Sequence, residues 1–231
     1  MLSIVTINWN NAVGLQRTIA SLSSQSRSDF EWVFVDGNSK DDSCNLAQNF
    51  GRPNDQIVSE SDAGIYNAMN KGARLARGSH VLFLNSGDIF ADAQAIHQIH
   101  QDIEDIPDVV MYGFEVRGKV RMPKPTWRRF WSMPTSHQAM VFKRQLLLNQ
   151  PYDESYRFAA DFEQFLRIYP KLNHLKMMNR SLVVNEPYGS DQSLQKVLLE
   201  YRQALVCNGY PQFFATAVYW IKLIYLRLAL R

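Results

Sequence analysis

Residues 81–88 constrain the fold of this chain more than any other stretch. Val81-Leu82-Phe83-Leu84 is an apolar run of strand length that stops abruptly in Asn85-Ser86-Gly87-Asp88. Open α/β sheets place ligand chemistry just beyond the carboxyl ends of their strands, in polar turns of this kind. The residues before the run fit the same unit. Ser59 to Gly64 is a polar loop with acids at Glu60 and Asp62. Ile65 to Ala76 predicts a helix with Ile65, Ala68, Met69, Gly72 and Leu75 on one stripe, and Gly78 ends it.

The same alternation starts earlier. Ser3 to Trp9 is a β-branched run read as the first strand, followed by Asn10-Asn11 and by Leu15, Ile19 and Leu22 at helical spacing. A dinucleotide fingerprint needs glycines in this first turn, and none is there, which disfavours such a cofactor. Glu31 to Asp36 predicts the second strand, with a helix starting at Asp41 or Asp42. Gln56 to Ser59 is a short third strand. Ala91 to Ile103 predicts a helix with Ile96, Ile99 and Ile103 inward, and His97 and His100 read as its solvated face rather than as a zinc pair. Asp108 to Val116 is a further strand, Ser136 to Phe142 leads into another, and Leu182 to Val184 is the last. Ser190 caps a helix carrying Leu194, Leu198, Tyr201 and Leu205. These elements predict an α/β fold with a mainly parallel sheet, spanning residues 1–188, and a helical extension over 189–231.

At 231 residues the chain fits one large domain with a small appendage. Cys44 and Cys207 are too few for a disulfide framework, and Met1 runs straight into strand-like sequence, so a cytoplasmic setting is expected. Charge is unevenly spread. Val116 to Tyr152 holds no acid and eight bases: Arg117, Lys119, Arg121, Lys124, Arg128, Arg129, Lys143 and Arg144. Such a sector suits a polyanion: a diphosphate, a membrane surface or a nucleic acid. No RNP or KH pattern accompanies the aromatic and basic residues from Arg121 to Trp131, so nucleic acid is not expected as a partner.

Gly64-Ile65-Tyr66-Asn67-Ala68-Met69-Asn70-Lys71-Gly72 and the following Phe83-Leu84-Asn85-Ser86-Gly87-Asp88-Ile89-Phe90 resemble the inverting family 2 glycosyltransferases of the GT-A fold, in particular their small bacterial branch of colanic-acid type. Ser136-His137-Gln138-Ala139 and Phe158 to Arg167 resemble two later blocks of that branch. The resemblance spans about Ser3 to Ser193. It implies a GT-A-like nucleotide-binding sandwich that moves a hexosyl or fucosyl unit from a nucleotide-sugar to a hydroxyl with inversion. The acceptor it implies is a lipid-linked saccharide or other oligosaccharide in cell-surface polysaccharide synthesis, at the inner face of the plasma membrane. It also implies a divalent cation, Mn or Mg, against the diphosphate.

Carried over residue by residue, Asp161 falls on the catalytic base, with Glu163 on the neighbouring acid and His137 near the sugar or acceptor. Asn8, Asp36, Asp62, Asn70, Lys71 and Asn85 fall in the donor site, and Asp88 is the metal ligand. The chain departs from the family pattern at Gly37 and Gly87, where acids are usual, and at Met69, where an arginine is usual. Plainer readings stand beside these: Asp36 and Asp161 as helix-terminal acids, Asn70 as a helix-surface residue, Asp88 as a turn closure, His137 as bonded to a backbone carbonyl. A non-catalytic binding subunit of the same fold is the alternative to an enzyme.

Phe213 to Leu230 is apolar nearly all round. Its 18 residues would span about 27 Å as a helix, short of a bilayer core of about 30 Å, and Lys222 and Arg227 lie within it. The expectation is a helix with one side on the domain or on a second copy, and the other, with Trp220, Lys222, Arg227 and Arg231, at lipid headgroups.

Overall fold

The computed structural model describes residues 1–186 and 194–229. Four parallel strands form one half of a single sheet, in the order β3-β2-β1-β4: β1 (Leu2–Asn8), β2 (Phe30–Asp36), β3 (Gln56–Ser59) and β4 (His80–Phe83). Helices α1 (Ala12–Ser23), α2 (Ser43–Phe50) and α3 (Ile65–Leu75) connect them. Leu2, Ile4, Trp32, Phe34 and Leu82 face a layer made by α1, α2 and α4 (Ala95–Asp102). Val5, Ile7, Val33, Val35, Val81 and Phe83 face the layer that contains α3. Both faces are covered, so these strands read as almost unbroken apolar runs. Gly72 lets α3 lie close on the sheet, because a Cβ there would collide with the Val5 side chain.

The other half is mixed. β5 (Ile89–Phe90), β6 (Val109–Val116), β7 (Lys119–Arg121), β8 (Met140–Lys143) and β9 (Leu175–Val184) extend the order as β4-β8-β6-β9-β5, with β7 on β6. β8 runs antiparallel to both β4 and β6, whereas β9 is parallel to β6. Four expectations shift here. Ile89 and Phe90 pair with β9 and the Ala91 amide donates to the Leu182 carbonyl at 2.9 Å, and the helix starts at Ala95 rather than Ala91. β9 begins seven residues before Leu182, through a half-exposed stretch whose partner β6 supplies the order its own pattern lacks. Ile65 is 42% exposed, since the inward side of α3 is Tyr66, Ala68, Met69 and Ala73. His100 is not solvated either: it lies 3.7 Å from Asp29, and burial holds its pKa down.

Four helices complete the second layer: α5 (Arg144–Asn149), α6 (Ala160–Ile168), α7 (Leu194–Cys207) and α8 (Gln212–Ala229). Ala204, Leu205, Ala215 and Val218 belong to the same core as the sheet face under α3, and Phe162 stacks on Tyr201 with ring centroids 4.0 Å apart. The expected cap at Ser190 and the base at Arg231 lie outside the described residues. Lys222 departs from the lipid-facing expectation. It is 7% exposed, donates to the Trp131 carbonyl at 2.6 Å, and sits 4.1 Å over the Tyr201 ring. Burial, with Lys124 adding, pushes its pKa down to about 7.

Candidate active site

Parallel register brings the strand ends together. Asn8 pairs with Asp36, and Asp36 with Ser59. Asp36 is fully buried and accepts hydrogen bonds from Asn8 Nδ2 at 2.8 Å, from Ser59 Oγ at 2.7 Å, and from the Ser39 amide at 2.8 Å. Burial pushes its carboxyl up, but the bonds from Ser39, Asn8 and Ser59 outweigh it and hold the pKa below the ordinary value. Asp36 therefore stays ionised as a fixed acceptor at the end of β2. Beside it, a Cβ on Gly37 would lie 2.8 Å from Asp62 Oδ2. The space vacated at residue 37 is thus occupied by a carboxylate from the loop before α3.

The Asn85–Asp88 turn continues the ladder past β4, with the amides of Leu84 and Ser86 donating to Val5 and Ile7 at 2.9 and 3.1 Å. Because β8 runs backwards beside β4, the residues before β8 meet this turn. His137, in a 3₁₀ turn over His137–Ala139, thereby lies between two expected site residues. Its Nε2 is 3.4 Å from Asn85 Nδ2, and its Nδ1 is 3.5 Å from Asp161 Oδ2. Asp161 stands in the first turn of α6, where the helix dipole favours a carboxylate. Tyr66, on α3, donates its hydroxyl to Asp161 Oδ1 at 3.3 Å. Burial first, and the Asp161 charge second, raise the Tyr66 pKa, so it remains a donor.

Asp88 is built into the turn. It is 3% exposed, Oδ1 accepts the Glu186 amide at 2.7 Å, and burial raises its pKa to about 6. The antiparallel pair Ile89 with Val184 is what carries Glu186 to this place. Glu186 forms an ion pair with Arg17 and accepts from Asn11 Nδ2 at 3.2 Å. Asn85 Oδ1 is buried with no hydrogen-bond partner.

Three expected site residues sit elsewhere. Asn70 is used up within the fold: its amide donates to the Tyr152 carbonyl and to Glu154, both at 2.9 Å, and accepts the Tyr152 amide at 2.9 Å. Lys71 donates to the Ser61 carbonyl at 3.0 Å and pairs with Glu60 at 2.8 Å. Glu163 is 5% exposed and takes Arg167 at 3.0 and 3.1 Å. Conversely, Tyr66, Asn11 and Glu186 were not read as site residues. Tyr66 lies off the stripe expected for α3, so nothing in that pattern marks it. The only sign of Glu186 was its place just after a strand end.

A cavity of about 610 Å³ opens on one side of these groups. Tyr66, His137, Asp161 and Glu186 line one part of it, and Arg117, Lys119, Arg121 and Lys124 another. Half of the acid-free basic sector therefore faces the cavity. Among the described residues no three His, Cys, Asp or Glu side chains form a ready metal cluster. A divalent cation still fits here. The unpartnered Asn85 oxygen and the carboxylates of Asp88 and Glu186 are hard oxygen donors, and phosphates and water can complete such a shell. The arrangement offers a cationic wall for an anionic ligand and, in Asp161, a carboxylate at the cavity able to take a proton.

The Glycosyl transferase family 2 model matches residues 3–183. A PGL/p-HBAD biosynthesis glycosyltransferase of Mycobacterium bovis (strain BCG / Pasteur 1173P2) is 31% identical over 182 residues, covering 73% of this chain and 70% of the relative. The fold is similar to that of TarS residues 1–349 from S. aureus, with a TM-score of 0.71 and 16% identity over 94% of this chain and 69% of the other. It is also similar to the mannosyltransferase PcManGT from Pyrobaculum calidifontis in complex with GDP-Man and Mn2+, with a TM-score of 0.70 and 15% identity over 94% and 69%.

Proposed function

Since the chain belongs to glycosyl transferase family 2 and has a GT-A-like fold, we propose that this glycosyltransferase moves a hexosyl or fucosyl unit from a nucleotide-sugar to a saccharide hydroxyl with inversion. The observation that carries this reading is the line Asn85–His137–Asp161, in which His137 and Asp161 line the cavity. It sets a carboxylate beside the strand-end turn where the diphosphate would rest. Asp62 meets the nucleoside at the strand ends that the Asn8–Asp36 bond fixes, and the basic wall holds phosphate. The acceptor oxygen attacks the anomeric carbon as the bond to the diphosphate oxygen breaks. Asp161 takes the hydroxyl proton, and the nucleoside diphosphate leaves with the electron pair. The reading assigns Asp161 as the base and no covalent nucleophile among the described residues, so the attack is in line and the anomeric configuration inverts. Asn85 and Asp88 would hold a divalent cation, which supplies charge neutralisation to the leaving diphosphate when bound.

Titration calorimetry with UDP, GDP and dTDP, each with Mn2+ and with EDTA, tests the reading. Tighter binding of one diphosphate in Mn2+ is the expected result. No binding of any of them under either condition would overturn it.

The acceptor is a lipid-linked saccharide, met at the inner face of the membrane in cell-surface polysaccharide synthesis. No helix among the described residues is long and apolar enough to cross a membrane. The outward side of α8 nevertheless carries Phe213, Trp220, Ile221, Ile224, Tyr225 and Leu228, all more than half exposed. The basic-aromatic segment lies against the same helix, with the Phe130 and Phe214 rings 5.5 Å apart and Trp127 65% exposed beside Arg128 and Arg129. An apolar stripe next to a basic flank matches an anionic bilayer surface. In flotation at low salt the protein is expected to rise with phosphatidylglycerol vesicles and not with phosphatidylcholine. Trp220→Glu with Ile224→Glu is expected to abolish this. A wild type that stays in the soluble fraction ends the membrane reading. If it sediments as a dimer that the double variant splits, the stripe is a contact between copies.

A further inference from the structure

Resting on the reading of the cavity as a nucleotide-sugar site, we propose that Glu186 supplies a carboxylate ligand to the divalent cation at the Asn85–Asp88 turn. It does so from the space that residue 87, having no side chain, leaves open. Gly87 has a φ of +102°, and a Cβ built on it would overlap the Glu186 carboxylate. The glycine is therefore the seat of a carboxylate brought in from the end of β9. Three contacts hold that carboxylate in place. Asp88 Oδ1 accepts the Glu186 amide at 2.7 Å, which fixes its backbone to the turn. Asn11 Nδ2 donates both to the Ser86 carbonyl at 3.1 Å and to Glu186 Oε2 at 3.2 Å, which ties the side chain to the same turn. Arg17 takes the other oxygen, Oε1.

The division of labour follows from exposure. Asp88 is 3% exposed and one of its oxygens is already used, so by itself it offers little charge to an ion in the cavity. The Glu186 side chain is 26% exposed and lines the cavity. Its present partner, Arg17, has a side chain 53% exposed, and ion pairs so open to water are weak. A divalent ion, with twice the charge and no long side chain to immobilise, displaces it. Arg17 is then the counter-charge that holds Glu186 ready, and it competes with the cation for one carboxylate.

That competition gives a test with opposite signs. Mn2+ is titrated into the full chain with the best-bound of UDP, GDP and dTDP, and free Mn2+ is read by electron paramagnetic resonance. Glu186→Gln keeps the shape and is expected to weaken Mn2+ at least tenfold. Arg17→Gln removes the competitor and is expected to tighten it about threefold or more. Melting temperatures of both variants are followed alongside. If Glu186 only anchors β9 through Arg17, both variants melt lower and Mn2+ affinity stays as in the wild type, and the inference is overturned. A wild type that binds none of the three diphosphates, with or without Mn2+, removes the reading of the cavity and this inference with it. Mn2+-dependent binding that Glu186→Gln leaves intact removes the inference alone.

Discussion

Asp161→Asn is expected to lower turnover by ~10²–10⁴-fold while leaving nucleoside diphosphate affinity almost unchanged. The substitution preserves size and hydrogen-bonding reach but deletes the proton acceptor. The neighbours of that acceptor hold it in place. Asp161 lies in the first turn of α6, receives the Tyr66 hydroxyl at 3.3 Å, and has His137 at 3.5 Å. The α6 end is itself held firmly: Glu200 of α7 accepts the amides of Arg157, Phe158 and Ala159 at 3.0, 2.8 and 2.8 Å. A one-for-one exchange at Asp161 should therefore leave the helix in place, and the melting temperature reports whether it does. Steady-state kinetics with the identified donor, together with calorimetry, separate the two effects. Near-normal turnover would pass the proton to another group and refute the assignment.

Asp88→Asn is expected to remove the Mn2+ dependence of diphosphate binding and, without metal, to raise stability at neutral pH. The first follows from deleting a carboxylate at the turn; the second follows from burial, which raises the Asp88 pKa from the ordinary 3.8 to about 6. In the unfolded chain the group ionises near the lower value. Between those two pH values the folded protein retains a proton that the unfolded chain gives up. Stability contributed by the neutral form is thus full below about pH 4 and is lost as pH rises through about 6. Two units correspond to roughly 3 kcal/mol at most. Asparagine never ionises, keeps an oxygen for the Glu186 amide, and escapes this loss. Cation binding has the opposite dependence, because the ligand must be deprotonated. Wild-type Mn2+ affinity should rise as pH passes about 6, and the variant should show no such rise. Thermal melts at pH 4.5 and 7.5, with Mn2+ titrations at pH 5.5 and 7.5, check both signs. Equal diphosphate affinity of the wild type in Mn2+ and EDTA would give charge neutralisation to the basic wall and end the metal role of Asp88.

Much of the fold was legible because its signals are local. The β-branched and aromatic runs of β1 and β2 are buried on both faces, so composition alone marks them. Gln56–Ser59 was placed at its observed bounds, and Ile96, Ile99 and Ile103 point inward as their spacing requires. The first half of β9 was not legible, since Lys176, Asn179 and Arg180 break any strand pattern, and the order there comes from Leu175, Lys176 and Met177 pairing with β6. Lys222 misled for a related reason. A lysine in an apolar stretch reads as a surface anchor, and only the aromatic rings and carbonyl supplied by other elements make its burial tolerable.

The candidate site divides the same way. Strand ends, polar turns and the acid at a helix start are written in short stretches, so the sequence places Asn8, Asp36, Asn85, Asp88 and Asp161 at the ends of elements, while the roles given to them rest on the family resemblance. Asn70 and Glu163 have the right residue types in the right neighbourhoods, yet Tyr152 and Arg167 consume their hydrogen-bonding capacity. By itself the sequence determined the alternation of strands and helices, and hence which turns gather at one sheet edge. Only the tertiary structure decided which side chains face one another across that edge. The reversed β8 delivers His137, and the β5–β9 pair delivers Glu186 across 98 positions of chain. Contacts at such separation depend on strand order and direction, which no local periodicity encodes.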